Sequence, residues 1–501
     1  MLGFIPWLFG HSVTEFQFKA LVVLFLQTIC VSSSSNEGLL RGFSAVPDSS
    51  VTSFQAFLSD HTGNFSLGFL RVDRTQLALA VLHVPSSQPF WLANPTRLAR
   101  WSDSTRLSFN GSLVISDPHE GVLWSTGTTG DSVLLLNTSN LQVQSDGDPP
   151  SVLWQSFDFP TDSLVENQNF TSSMSLVSSN GLYSLRLGDD FMGLYANFLH
   201  SDSDSEQVIY WKHKALEVKA QIVEGGGPLY ALVNTDGYLG MYQYQTSSKP
   251  MDVQKFDSFQ RSNISFLMVR IEPDGNLNGY YWDGSKWALN YQAIAETCEL
   301  LSPCGSYGLC KPGGSGSGCS CLDNRTSYQS GTGCFDERQQ GYGDFCGQAV
   351  AENNYWVLRR KGVEAPDKEF LSYETLSSVE QCESLCEKNC SCWGALYNNA
   401  NGFCYSVDYP IQTMSGTGDE SKVGFFKVRN SPPGKKKRSI GVVVGVVVGS
   451  VVLIAIIGIG LAIAGYLRWK TKGAIRQDGI SLSPGPYKNL GSSSFSYAES
   501  K

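Results

Sequence analysis

From Asn36 to about Glu296 the chain runs in short apolar stretches broken by polar turns. Leu77–Val84, Ser112–Ile115, Ser132–Leu136, Val208–Lys212, Leu229–Val233 and Phe266–Ile271 are strand-like, and Gly, Asn, Asp and Ser fall between them. Long segments with a 3.6-residue period are scarce, which predicts an all-β arrangement. Four segments repeat one design. Phe109-Asn-Gly-Ser-Leu-Val-Ile115, Asn137-Thr-Ser-Asn-Leu-Gln-Val143, Asn234-Thr-Asp-Gly-Tyr-Leu-Gly-Met-Tyr242 and Glu272-Pro-Asp-Gly-Asn-Leu-Asn-Gly-Tyr280 each set a polar turn before an alternating strand. Asn-Gly and Asp-Gly supply the positive φ angles that tight turns need. Repeated hairpins around a core predict a β-prism or barrel, and the length of this region predicts two such units.

Hydrophobicity takes a different form near the two ends. Ile440–Leu467 is an uncharged run of 28 residues, or about 42 Å of helix against a hydrocarbon core of about 30 Å, so it predicts a single membrane-spanning helix. The 34 residues after it (468–501) are too few to bury the core of a kinase or other enzyme domain. Lys435, Lys436, Lys437 and Arg438 precede the span, while Arg468, Lys470, Lys472 and Arg476 follow it, so flanking charge leaves the orientation open. The N-terminus decides. Lys19 leads into apolar Ala20–Val31 and then small Ser32–Ser35, predicting a cleaved signal peptide over residues 1–33 and a type I protein of the plasma membrane with its N-terminal part outside. Val379–Cys390 alternates apolar and charged residues at helical spacing, placing Cys382 and Cys386 on one face.

Composition agrees with export. Twelve of the 13 cysteines lie between Cys298 and Cys404, and the other is Cys30 in the signal segment. Cysteines pair in oxidising compartments. Asn64, Asn110, Asn137, Asn169, Asn263, Asn324 and Asn389 each open an N-x-S/T sequon, all before the span, whereas Asn94 is followed by Pro95 and is excluded. Between Asn36 and Gly434, 26 Lys and Arg stand against 43 Asp and Glu, a net of −17. Such a surface repels phosphate, so nucleic acid is excluded as a partner. None of the six histidines (His11, His61, His83, His119, His200, His213) has metal-ligand spacing, and Gly225-Gly-Gly227 lacks the Lys-Ser/Thr of a phosphate loop. The expectation is a non-enzymatic protein without cofactor or metal.

The cysteines form two groups of six. Cys298, Cys304, Cys310, Cys319, Cys321 and Cys334 stand in a short Gly-rich segment, the sign of a small domain held by crosslinks, with fifteen pairings open. Zinc at Cys319-Ser-Cys321 is the rival reading, which export disfavours. Ala295-Glu-Thr297 offers one carboxylate, too few for a calcium-binding module. The second group is Cys346, Cys382, Cys386, Cys390, Cys392 and Cys404.

Particular strings then resemble a known family. Leu153-Trp-Gln-Ser-Phe-Asp-Phe-Pro-Thr-Asp-Ser-Leu164 resembles the signature ending the bulb-type, mannose-binding lectin domain of plant S-locus glycoproteins and S-domain receptor kinases. Tyr280-Tyr-Trp-Asp-Gly-Ser-Lys-Trp287, Cys298 and Pro303-Cys-Gly-Ser-Tyr-Gly-Leu-Cys310 resemble the S-locus glycoprotein region and EGF-like module of that family. The second cysteine group with Gly402-Phe-Cys404 resembles the PAN or apple domain. The resemblance implies a bulb-type lectin domain over 36–168, a second lectin-like S-locus domain over 169–296, an EGF-like module over 297–335 and an α+β PAN domain over 346–429, ahead of the helix at 440–467. It implies the disulfides Cys298–Cys310, Cys304–Cys319, Cys321–Cys334, Cys382–Cys404 and Cys386–Cys392, with Cys346–Cys390 as the remaining pair.

In the family, sugar is held by Gln-x-Asp-x-Asn-x-Val-x-Tyr. Those positions here read Ser108, Asn110, Ser112, Val114 and Ser116 in the first repeat, and Leu136, Thr138, Asn140, Gln142 and Gln144 in the second. The nearest match is Glu272, Asp274, Asn276, Asn278 and Tyr280, so Asp274, Asn276 and Tyr280 are the candidate sugar residues in a lectin expected to be degenerate. The resemblance implies recognition of an extracellular protein or glycan ligand and assembly with receptor kinases. A wall-facing mannose-type lectin tether and a decoy for full receptor kinases are the alternatives. Gly441, Gly445 and Gly449 recur every four residues in the predicted span, a stripe suited to helix association and homodimerisation. Ser481, Ser483, Tyr487 and Tyr497 among Gly and Pro predict an unstructured tail open to phosphorylation.

Overall fold

The computed structural model describes residues 38–197, 207–215, 229–243, 249–259, 266–313, 318–329, 333–335, 345–346, 355–429, 459–461 and 463–468. Its first part is a prism of three antiparallel sheets. Phe54–Ser59, Phe65–Arg71, Gln76–His83 and Gln88–Leu92 form one sheet, with Ala99–Arg100 pairing on Gln76–His83. A second contains Arg106–Phe109, Leu113–Asp117 and Gly121–Ser125, and a third contains Ser132–Leu135, Leu141–Ser145 and Ser151–Gln155. Each of these two lacks a fourth strand until the chain's start is added. Leu39–Leu40 pairs with the third sheet and Phe43–Ala45 with the second, before the chain builds the first.

The same path is walked again. Ser163–Val165 joins Leu267–Ile271, Leu277–Trp282 and Trp287–Gln292, then Asn169–Thr171 joins Leu229–Asn234, Tyr238–Gln243 and Asp252–Lys255. Only then do Leu176–Val177, Tyr183–Leu187, Phe191–Ala196 and Val208–Lys214 make their own sheet. One strand order used twice marks an internal duplication. The turns that opened the repeats hold their glycines at positive φ: 100° at Gly111 and 89° at both Gly237 and Gly275.

Tryptophans close the first prism. Trp91, Trp124 and Trp154 come one from each sheet and meet edge to face with ring centroids 5.6–5.8 Å apart. Trp91 and Trp154 each sit beside a register shift in their strand pair. The matching positions of the second prism hold Trp211 and Tyr291. Its middle sheet pairs in unbroken register and presents Asp252 and Gln254. Asp252 bonds His213, the Gln254 amide bonds the same ring, and Tyr291 donates to Gln254 Oε1 at 3.2 Å. A polar network thus stands where the first prism has aromatic packing.

The prisms share a core. Val165, Phe266, Met268 and Trp282 of the second pack into the cluster of the first. His83 is 3% exposed there, stacked on Phe90 at 5.5 Å and edge-on to Trp282 at 5.0 Å and Trp287 at 5.4 Å. Arg270 ties the rim, donating to Ser163 Oγ at 2.8 Å, Gln88 Oε1 at 3.3 Å and the Pro89 carbonyl at 3.1 Å.

Six disulfides organise the region from Cys298 to Cys404: Cys298–Cys310, Cys304–Cys319, Cys321–Cys334, Cys346–Cys390, Cys382–Cys404 and Cys386–Cys392. The hairpin Gly308–Lys311/Gly318–Cys321 does not stand alone. Gly308–Lys311 pairs in parallel with Met414–Gly416, which also pairs with Val363–Glu364, so the crosslinked module and the PAN region share a four-stranded sheet. A five-stranded sheet completes the fold in the order Tyr355–Lys361, Lys422–Arg429, Gly394–Asn398, Phe403–Val407, Tyr373–Thr375. The helix Val379–Lys388 packs on it, started by Ser378 Oγ accepting from the Gln381 N–H. Its other end is held by Lys427. This lysine is 1% exposed, and its ammonium donates to the carbonyls of Cys386 and Asn389 at 2.9 Å each, a cation set against the C-terminal end of the helix. Burial holds its pKa below the usual lysine value.

Among the described residues no helix is long and apolar enough to cross a membrane. Of the predicted span, positions 459–461 and 463–467 are described, and these are helical. The remainder, including Gly441, Gly445 and Gly449, lies outside the described residues, as do the signal segment and residues 469–501.

Burial pushes the His83 pKa down to about 4, below its unfolded value of about 6.5. The unfolded chain therefore binds the extra proton first, and the contribution of neutral His83 is complete above about pH 6.5 and lost as pH falls toward 4. Thermal melts between those limits are expected to show a steeper loss for the native protein than for His83→Leu. Parallel curves would remove His83 from the joint's pH response.

Candidate ligand-binding surfaces

The sugar-motif positions fall at three turns, each spent differently. In the first repeat, Ser112 Oγ lies 2.8 Å from Ser125 Oγ and 3.1 Å from Thr126 Oγ1, a closed hydroxyl cluster. In the second, Asn140 donates to Gln155 Oε1 at 2.9 Å, Gln142 to the same oxygen at 3.4 Å, and Gln144 to Gln142 Oε1 at 2.7 Å. The amides satisfy one another and leave a sugar little to bond. Leu136 stands where the family has glutamine, removing a donor and acceptor outright.

The third turn keeps more polarity. Asn276 is 2% exposed and is consumed by backbone: its Nδ2 donates to the Ile294 carbonyl at 2.8 Å and its Oδ1 accepts from the Ile294 N–H at 3.0 Å. Asp274 accepts from the Asn276 N–H at 2.9 Å, as turn aspartates do. Tyr280 donates to Glu272 Oε1 at 2.8 Å and accepts from Asn278 Nδ2 at 3.2 Å. Burial raises the Glu272 pKa and pushes that of Tyr280 up to about 12. Asn278 Oδ1 is buried without a partner. Asp274, Asn276 and Tyr280 thus share one turn, but the first two shape it and Tyr280 packs against the joint between prisms.

The sequons at Asn64, Asn110, Asn137, Asn169, Asn324 and Asn389 are exposed, and Asn263 lies outside the described residues. Asn389 Oδ1 is held by Ser391 through N–H at 3.0 Å and O–H at 2.8 Å, and Asn324 is bonded by Arg360. Among the described residues no group of His, Cys, Asp and Glu is placed to hold a metal ion.

Two concavities have no counterpart in any sequence motif. A pocket of about 150 Å³ in the PAN region is lined by Glu364, Lys368, Asn398, Asn401, Tyr405 and Lys422 among others. A cleft of about 1080 Å³ opens between Tyr210–Lys212 of the second prism, the crosslinked module and Glu364–Phe370. Each draws on segments far apart in the chain, so no local motif announces it. Glu364 belongs to both. Burial works to raise its pKa, but the ammoniums of Lys422 at 2.6 Å and Lys368 at 2.9 Å outweigh that and hold it below the usual carboxylate value.

Comparison with known proteins finds three family matches in order along the chain. The D-mannose binding lectin family model matches residues 89–186, the S-locus glycoprotein domain 232–326 and the PAN domain 361–425. A PAN domain-containing protein of Arabidopsis thaliana is 51% identical over 461 residues, 92% of this chain and 92% of that protein. The chain belongs to the plant bulb-lectin, S-locus and PAN domain family. A G-type lectin S-receptor-like serine/threonine-protein kinase of Arabidopsis thaliana is 25% identical over 398 residues, 75% of this chain and 45% of the kinase. The chain spans about half the length of such kinase relatives. The two-domain fetuin-binding lectin of Scilla campanulata is 16% identical, covers 52% of this chain and 96% of the lectin, and gives a TM-score of 0.19. The lectin match begins beside Trp91 and runs past Trp154 into the second prism, so it takes in the tryptophans that close the first.

Replacing Asn276 by Ala strands both backbone groups of Ile294, at a cost of about 2–4 kcal/mol. A lowered urea midpoint for Asn276→Ala is the expected result. An unchanged midpoint would show that Asn276 is free for a ligand.

Proposed function

We propose that this protein is a non-enzymatic, receptor-like glycoprotein of the plant plasma membrane that recognises an extracellular ligand and assembles with receptor kinases. The observation that carries the reading is the domain series itself. Lectin, S-locus and PAN matches follow one another in order, and the sequence aligns with S-receptor-like kinases over 75% of its length. In this reading residues 1–33 direct export, Ile440–Leu467 anchors the chain as a single-pass type I protein, and the sequons before it carry glycans. Gly441, Gly445 and Gly449 form the face on which the anchor meets a second copy or the anchor of a kinase. The domains are proposed as 36–168, 169–296, 297–335 and 346–429, with the second prism's first strand, Ser163–Val165, falling before the first of these boundaries. Asp274, Asn276 and Tyr280 serve as scaffold rather than as a mannose site.

One observation favours the alternative of a wall-facing lectin tether. Asn278 Oδ1 is buried and unpaired next to Glu272 and Tyr280, as a polar group awaiting a sugar hydroxyl would be. A decoy that withholds ligand from full receptor kinases would use the same surfaces.

Proximity labelling from a ligase fused to the C-terminus separates these readings. Receptor kinases are expected among the labelled neighbours, and fewer of them after Gly445→Ile and Gly449→Ile. A neighbourhood empty of kinases would overturn the assembly role.

A further inference from the structure

The PAN pocket is built by register. Lys422, Asn398, Phe403 and Thr375 stand opposite one another across four neighbouring strands, and Gly424, Leu396, Tyr405 and Tyr373 form the next row but one on the same face. The first row offers a cation, an amide and a ring. The second begins at Gly424, where a Cβ would come within 2.5 Å of Phe426 and 2.9 Å of Val363, so the missing side chain is the room those two residues fill. Lys368 and Glu364 close the pocket from the neighbouring segment.

Charge in this pocket runs against the rest of the ectodomain. Two ammoniums converge on the single Glu364 carboxylate, leaving a surplus positive charge within a region that nets −17. Each ammonium carries three N–H groups, so donors remain after both ion pairs. Asn398 Oδ1 accepts from the Ala400 N–H at 2.9 Å and Asn401 Oδ1 from the Phe403 N–H at 3.0 Å. The carbonyl ends being taken, the amide Nδ2 groups are what these side chains have left to offer. Beside the pocket lies an aromatic surface that packing does not explain. Tyr373 is 57% exposed, with its ring 4.8 Å from Phe403 and 5.6 Å from Tyr405. An exposed cluster of large rings beside convergent polar groups marks a binding surface.

We propose that this pocket binds one terminal acidic sugar residue of the uronate type, its carboxylate on Lys368 and Lys422, its hydroxyls on Asn398, Asn401 and Glu364, and its C–H face against Tyr405 and Tyr373. The volume of about 150 Å³ takes a single pyranose ring. Beyond Glu364 the cleft carries Glu296, Glu299 and Glu369, which offer further uronates no favourable contact. The site therefore takes a chain end and not an internal stretch of polyanion. It rests on reading the ectodomain as a ligand-recognising surface and is independent of any kinase partner, so the labelling experiment and this one fail separately.

Isothermal titration of the full chain with digalacturonate, neutral galactobiose and tetraglutamate tests the assignment. Digalacturonate is expected to bind saturably, with the other two at least about tenfold weaker. Lys422→Met should weaken it about tenfold, the loss of a charge-assisted hydrogen bond. Tyr373→Ala, at an exposed position, should weaken it severalfold with an unchanged melting temperature. A longer oligogalacturonate should bind no tighter. The proposal falls if digalacturonate does not bind, if galactobiose binds equally, if tetraglutamate binds tighter and so marks an acidic protein segment, if length increases affinity, or if both variants bind like the native chain.

Discussion

Closure of three sheets onto one axis is the constraint on which the rest of this structure depends. Each sheet buries one face and can do so only against the other two. In the first prism the three faces meet at Trp91, Trp124 and Trp154, whose edge-to-face contacts fill the axis. The sheets are kept together at the backbone level by the chain's first strands, which pair with the third and second sheets before the first is made. Trp91 is the buried member of the three, and its removal opens a void costing about 3–5 kcal/mol, while the half-buried Trp124 and Trp154 cost less.

The second prism solves the same problem with different chemistry, and the difference bears on function. Trp211 and Tyr291 hold two of the axial positions, while Asp252, His213 and Gln254 form a hydrogen-bonded network. Such a network tolerates no missing partner. A comparable economy governs the sugar-motif turns, where amides that would meet hydroxyls instead bond Gln155 or the backbone of Ile294. Among the described residues each unit packs into the next. Phe266 and Trp282 reach into the first core, Leu300 and Leu301 into the second, and Gly308–Lys311 joins the PAN sheet.

Much of this was legible in the sequence because it is local. A short apolar run marked the strand Gln76–His83, Asn-Gly and Asp-Gly marked the turns at Gly111 and Gly275, and helical spacing marked Val379–Lys388. What was hidden is non-local. Leu39–Leu40 and Leu176–Val177 are two-residue strands, too short to show a period, yet each closes a sheet. The strand Ser163–Val165 already belongs to the second prism, although the signature Leu153–Leu164 reads as one continuous string. The PAN pocket depends on Lys422 standing opposite Asn398, a register no linear pattern states. The role of Asn276 was hidden as well, since a buried turn residue and a sugar ligand share the same Asp-Gly-Asn letters.

At the heart of the proposed function, the inherited mannose positions have become internal scaffold while the fold that carried them persists. Equilibrium binding of the full chain to an array of mannose-type glycans decides whether that is so, with Asp274→Ala measured alongside. No specific binding by either protein is the expected result. Strong binding by the native chain that Asp274→Ala abolishes would contradict it.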